Sequence, residues 1–112
     1  MPRLRQVVYR SKDIAKTVEF YSSVLGATVI EDAQPDYARL SFGETSQHTF
    51  YLERGTPSDE PRLRFDADVD QQLRWLRALS IATHEAIQGD EGKRWFSVLD
   101  PDGREVVFAE SF

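Results

Sequence analysis

The chain has 112 residues, no cysteine, two histidines and a formal net charge of −5. Without cysteine there are no disulfides and no thiolate chemistry, and two histidines are too few for an ordinary all-protein zinc site. The acidic balance excludes a global attraction for nucleic acid or anionic membrane, and the length fits one domain able to bury roughly two-thirds of its unfolded surface.

Met1 to Arg10 carries three arginines and lacks the apolar run of a signal peptide. No stretch approaches the ~20 apolar residues of a membrane span. A soluble, cytoplasmic protein is therefore expected. Arg5 to Tyr9 has strand character, and Asp13 can cap a helix over 14–25 that Gly26 closes. Ile14, Val18, Tyr21, Val24 and Leu25 fall at helical spacing and predict one buried face. Strands are predicted at Thr28 to Glu31, Tyr37 to Phe42 and Thr49 to Glu53, with Gly43 to Ser46 turning between the last two. The order is β-α-β-β-β.

Gly55 to Pro61 reads as a linker, after which the pattern repeats. Leu63 to Ala67 alternates as a strand. Asp68 caps a helix with Val69, Leu73, Leu76 and Leu79 as its apolar stripe and Trp75 beside it, as core or as a dimer contact. Strands at Thr83 to Ile87, Arg94 to Leu99 and Glu105 to Ala109 complete the second unit. Asp100-Pro101-Asp102-Gly103 is a tight turn: proline sets φ, aspartate bonds the turn backbone and glycine accepts φ > 0. Two copies at a period of roughly 55 residues predict a duplicated α+β fold, not a repeat array. Each helix covers one sheet face and leaves the other open.

Phe20-Tyr21 and Leu25-Gly26 after Asp13-Ile14, the Asp-Pro-Asp-Gly turn with its downstream strand, and the internal repeat together resemble the vicinal oxygen chelate superfamily. That superfamily includes glyoxalase I, extradiol dioxygenases, fosfomycin-modifying enzymes and bleomycin-resistance proteins. The resemblance runs from Leu4 to Glu110. It implies one domain over 1–112, built from two βαβββ modules (about 1–55 and 61–112) that form a curled mixed sheet with a concave ligand cleft. It also implies a homodimer.

Metal-binding members of that superfamily place one ligand on each of four strands. The matching positions here are Gln6, Tyr51 (with Glu53 on the same side two residues on), Arg62 and Val107. Arginine offers donors only and valine has no lone pair, so Gln6 and Glu53 would leave at most two oxygen ligands where three are usual. No metal or other cofactor is expected. His48 and His84 are read as surface or supporting histidines.

Strand parity puts Gln6, Val8 and Arg10 on one open face and Arg62, Arg64 and Asp66 on the other. These arginines can anchor a carboxylate or phosphate through their planar forks. They can equally pair with Asp66, Glu105 and Glu53. Tyr51, Phe42 and Trp95 are candidate apolar walls. The expected ligand-binding set is Gln6, Arg10, Tyr51, Arg62, Arg64, Trp95 and Val107; no catalytic residue, acid/base pair, triad or phosphate loop is legible. The expected function is metal-independent binding of a small, anionic or hydrogen-bonding organic molecule. A metal-dependent lyase, isomerase or dioxygenase with an atypical ligand set, and a protein-interaction module, stand as alternatives.

Overall fold

A computed structural model describes residues 6–43, 49–57 and 62–110. His48, Arg5 and parts of the Gly43 to Ser46 turn and of the linker lie outside the described residues. Two compact units divide the chain, Met1–Glu60 and Pro61–Phe112.

The first unit contains β1 (Gln6–Ser11), α1 (Ile14–Leu25), β2 (Thr28–Ala33), β3 (Tyr37–Ser41) and β4 (Thr49–Arg54). Its sheet has the order β1-β4-β3-β2, with β1 parallel to β4 and the remaining pairs antiparallel. The helix starts where expected: the Asp13 carboxylate accepts the Lys16 backbone N–H at 3.2 Å, satisfying one of the first-turn donors that a helix leaves unpaired. It stops at Gly26, whose φ of 65° turns its N–H back to the Ser22 carbonyl. The apolar face of α1 buries Ile14, Val18, Tyr21 and Val24 against Leu40, Phe50 and Leu52. Tyr21 is the centre of an aromatic cluster, with ring centroids 5.3 Å from Phe20, 5.9 Å from Phe42 and 5.2 Å from Phe50. Phe42 therefore belongs to the core and not to a ligand wall.

The second unit repeats the connectivity with β5 (Leu63–Asp66), α2 (Val69–Ala78), β6 (Glu85–Gln88), β7 (Trp95–Leu99) and β8 (Glu105–Ala109) in the order β5-β8-β7-β6. The β5/β8 pair is parallel and the rest are antiparallel. The fold is thus α+β, two βαβββ modules each with a mixed four-stranded sheet. Asp68 caps α2 by accepting the Gln71 N–H at 3.1 Å. No glycine ends this helix; Ser80 takes the left-handed conformation instead, at φ 60°. Val69 and Leu76 bury against the face formed by Phe96, Val98, Val106 and Phe108. Trp75 is 49% exposed, so it does not belong to the core of this unit.

The Asp-Pro-Asp-Gly turn joins β7 to β8. One Asp100 oxygen accepts the backbone N–H groups of Asp102 and Arg104, both at 2.9 Å, and the other accepts from the Arg104 guanidinium. Gly103 has φ 80°. A β-branched side chain pays a steric cost in that region of backbone space, so Gly103→Val and Gly26→Val should each lower unfolding free energy by about 1 kcal/mol or more. Urea titration of the two variants checks this, and unchanged midpoints would show that neither turn depends on its left-handed residue.

Candidate functional site

Alternation along β5, β7 and β8 sends Leu63, Phe65, Phe96, Val98, Val106 and Phe108 toward α2. Arg64, Trp95, Ser97, Glu105 and Val107 are sent to the opposite face, and Arg62, just before β5, shares it. The register sets this face in rows: Arg64 lies opposite Val107 on β8, and Val107 opposite Ser97 on β7. Arg62, Arg64, Trp95 and Val107 line one cavity of about 180 Å³. Four residues selected from the sequence, three of them by strand parity or family position and one as an aromatic wall, are thus brought together within one module. Val107 forms an apolar floor and is 3% exposed.

Beside the floor, Glu105 accepts from the Ser97 hydroxyl at 2.8 Å and from Arg62 Nη1 at 3.2 Å. Arg62 is therefore an ion-pair partner as well as a lining residue. The Ser97 hydrogen bond, then the bond and charge of Arg62, hold the Glu105 carboxyl below its ordinary value of 4.5, against the opposing effect of burial. The charge of His84 acts in the same direction, and the His84 backbone N–H donates to the Ser97 carbonyl at 2.7 Å. His84 thus has a neighbour in Glu105. Glu105 entered the sequence reading only as a partner for arginine, and Ser97 did not enter it. Parity with Val107 and Trp95 was the signal available for both.

At the far end of the same sheet, Arg94 Nη2 lies 2.6 Å from Glu110 and 3.0 Å from Asp70 on α2. The Arg94 hydrogen bonds lower both carboxyl pKa values. Glu105, Glu110 and Asp70 are therefore all harder to protonate folded than unfolded. The unfolded chain binds more protons as pH falls below the ordinary carboxylate range, so the stabilisation they contribute is present above that range and lost as pH drops through the lowered folded values. Denaturation midpoints measured from neutral pH to about pH 3 should fall, and less steeply in Glu110→Gln. A flat profile would contradict the linkage.

In the first module the open face carries Gln6, Val8 and Arg10 on β1 and Tyr51 and Glu53 on β4, with Arg10 opposite Glu53. The Arg10 Nε lies 3.6 Å from Glu53. Tyr51 stacks on Tyr37 at 5.2 Å between ring centroids, and the Arg39 guanidinium sits 5.9 Å over its ring. Tyr37 donates to Glu31, which also faces Arg39. The Glu31 bond raises the Tyr37 pKa above its ordinary value, with desolvation and the Glu31 charge adding to the effect. Tyr51 is therefore part of an aromatic and ionic cluster that sequence reasoning did not assemble, because Glu31 reaches its place through a bulge at Ile30.

At the positions matching a metal ligand set, Glu53 faces a guanidinium, Val107 has no donor atom, and Arg62 is cationic. Among the described residues no group of three or more His, Cys, Asp or Glu side chains is placed to hold a metal ion, and no helix is long and apolar enough to cross a membrane.

The same architecture occurs in known proteins. The crystal structure of lactoylglutathione lyase from Agrobacterium tumefaciens superposes with a TM-score of 0.75 at 15% identity, covering 99% of this chain and 95% of that one. The genomically encoded fosfomycin resistance protein FosX from Listeria monocytogenes gives 0.79 at 16% identity, with 100% and 93% covered. A glyoxalase-related enzyme from Clostridium phytofermentans gives 0.75 at 22% identity, with 100% and 97% covered. No curated protein matches by sequence. At these identities the likeness establishes the fold alone, but the sequence itself matches a family over residues 3–108. With the duplicated βαβββ order and the Asp-Pro-Asp-Gly turn, that match places the chain in the Glyoxalase/Bleomycin resistance protein/Dioxygenase superfamily.

Proposed function

We propose that this protein binds a small organic molecule bearing an anionic or hydrogen-bonding group, without a resident metal, on the open face of its second module. The observation that carries the reading is the cavity lined by Arg62, Arg64, Trp95 and Val107. It combines what a small-molecule site needs: an apolar floor, an aromatic wall and a few convergent charged donors. The donor set argues for metal independence, since the residues at the superfamily's ligand positions are a valine, an arginine, a glutamine and either a tyrosine or an ion-paired glutamate. The sequestering bleomycin-resistance proteins are the functional analogy, and it is an analogy of fold.

Calorimetric screening of small carboxylates, phosphates and aromatic acids tests the proposal. A ligand of the cavity should bind about tenfold or more weakly to Arg64→Met, which keeps an apolar stem and deletes charge-assisted bonds of roughly 1.5–3 kcal/mol each. Absence of binding throughout the set at millimolar concentration would remove the reading. Elemental analysis after dialysis against zinc, nickel, manganese and iron should return well under one equivalent; a tight one-to-one metal engaging Gln6 or Glu53 would instead favour the metal-dependent lyase, isomerase or dioxygenase alternative.

A further inference from the structure

Of the four tyrosines in the chain, Tyr9 and Tyr21 are buried, at 3% and 0% exposure, while Tyr37 and Tyr51 are half-buried on the open face of the first module. The register pairs Tyr37 with Glu53 and Arg39 with Tyr51, so the two tyrosines are diagonal neighbours across β3 and β4, a separation that aromatic side chains span. Their rings stack, with centroids 5.2 Å apart and planes 20° from parallel. The Tyr37 hydroxyl donates to Glu31, and the Arg39 guanidinium lies 5.9 Å from the centre of the Tyr51 ring and 3.9 Å from the Glu31 carboxylate. Two phenols are thus held ring against ring, with a carboxylate already in contact with one of them. Loss of an electron makes a phenol strongly acidic, and an acceptor in hydrogen-bond contact takes up the proton as the electron leaves. The Arg39 cation over the second ring opposes positive charge there, so Tyr51 also favours the neutral radical over the radical cation.

We propose that Tyr37 and Tyr51 form an oxidative cross-linking site, in which a diffusible one-electron oxidant joins the two rings by a carbon–carbon bond and Glu31 takes the Tyr37 proton. Each tyrosine gives one electron to a separate oxidant molecule and loses its hydroxyl proton, Tyr37 to Glu31 and Tyr51 to water. One Cε of each phenoxyl radical then supplies an electron to the new bond. The hydrogens on the two joined carbons move to the two oxygens, which restores both phenols. The sum is two electrons to the oxidant, two protons released and one bond gained. Glu31, with its side chain 39% exposed, passes its proton on to solvent. Because the rings are already adjacent, coupling within one chain outruns coupling between chains, as in any reaction made intramolecular by positioning. The product ties β3 covalently to β4.

Photo-oxidation of the full chain with tris(bipyridyl)ruthenium and persulfate tests the proposal. Wild-type protein should give a monomeric product two hydrogen atoms lighter, with the blue fluorescence of dityrosine and a proteolytic fragment that joins Tyr37 to Tyr51. Tyr37→Phe and Tyr51→Phe each keep a ring and lose a hydroxyl, so each should abolish that product, and either variant serves should the other fail to fold. Glu31→Gln keeps an acceptor for the Tyr37 hydroxyl but is too weak a base to take its proton, so the initial rate of cross-linking should fall about tenfold or more. Cross-links found only between chains, the same monomeric fluorescence in a Phe variant, or oxidation without dityrosine would overturn the proposal. An unchanged rate in Glu31→Gln would overturn it as well.

Discussion

Arg104→Met is expected to lower the unfolding free energy by about 3–5 kcal/mol, the usual cost of leaving one member of a buried ion pair without its partner. Arg104 and Asp100 are 3% and 0% exposed in their side chains, and the guanidinium meets the carboxylate at 2.5 Å. Asp100 also accepts two backbone N–H groups of the turn, which hold its carboxylate in this buried place when the arginine is removed. The strand partners Leu99 and Glu105 flank this turn directly. The pair therefore holds the register of the two strands that carry Trp95, Ser97, Glu105 and Val107. Urea denaturation gives the magnitude, and a double-mutant cycle with Asp100→Asn isolates the coupling. A loss below about 1 kcal/mol, as for a surface pair, would show that the turn stands without its charges.

Tyr21→Ala should cost a similar amount in the first module, about 3–5 kcal/mol by comparison with other aromatic truncations in cores. Tyr21 is fully buried and meets three rings edge-on, those of Phe20, Phe42 and Phe50. Removing it leaves a void between α1 and the sheet that close-packed neighbours cannot fill without moving. Tyr21→Phe retains the ring contacts and should recover most of the loss. Thermal and urea unfolding of the two variants measure the difference; equal loss in both would assign the stability to the hydroxyl and not to the aromatic packing.

The elements that could be read from the sequence are those governed by residues a few positions apart. Asp13 and Asp68 cap helices because a short carboxylate reaches an N–H three residues on. Gly26 and Gly103 reverse the chain because they alone among their neighbours adopt φ > 0 without a steric penalty. The duplicated βαβββ order followed from these signals, as did the face shared by Arg62 and Arg64, since strand alternation is a local rule; Val107 joins that face through the β5/β8 pairing.

The tertiary structure decided which groups those side chains meet. Arg62 finds Glu105 across 43 residues of chain, and only the parallel β5/β8 pairing brings them within reach. Ser97 holds Glu105 because β7 pairs with β8, and Arg94 joins Asp70 to Glu110 because the start of α2 and the end of β8 approach one point. Ser80 ends α2 without a glycine to announce it, and the bulge at Ile30 sets Glu31 beside Tyr37 and Arg39. Phe42 and Trp75 were ambiguous for the same reason: an aromatic residue has equal capacity to fill a core or stand exposed, and only the packed neighbours settle which. Sequence rules fix what a residue can do within a turn or two of backbone; its charge partners and its burial are properties of the assembled sheet.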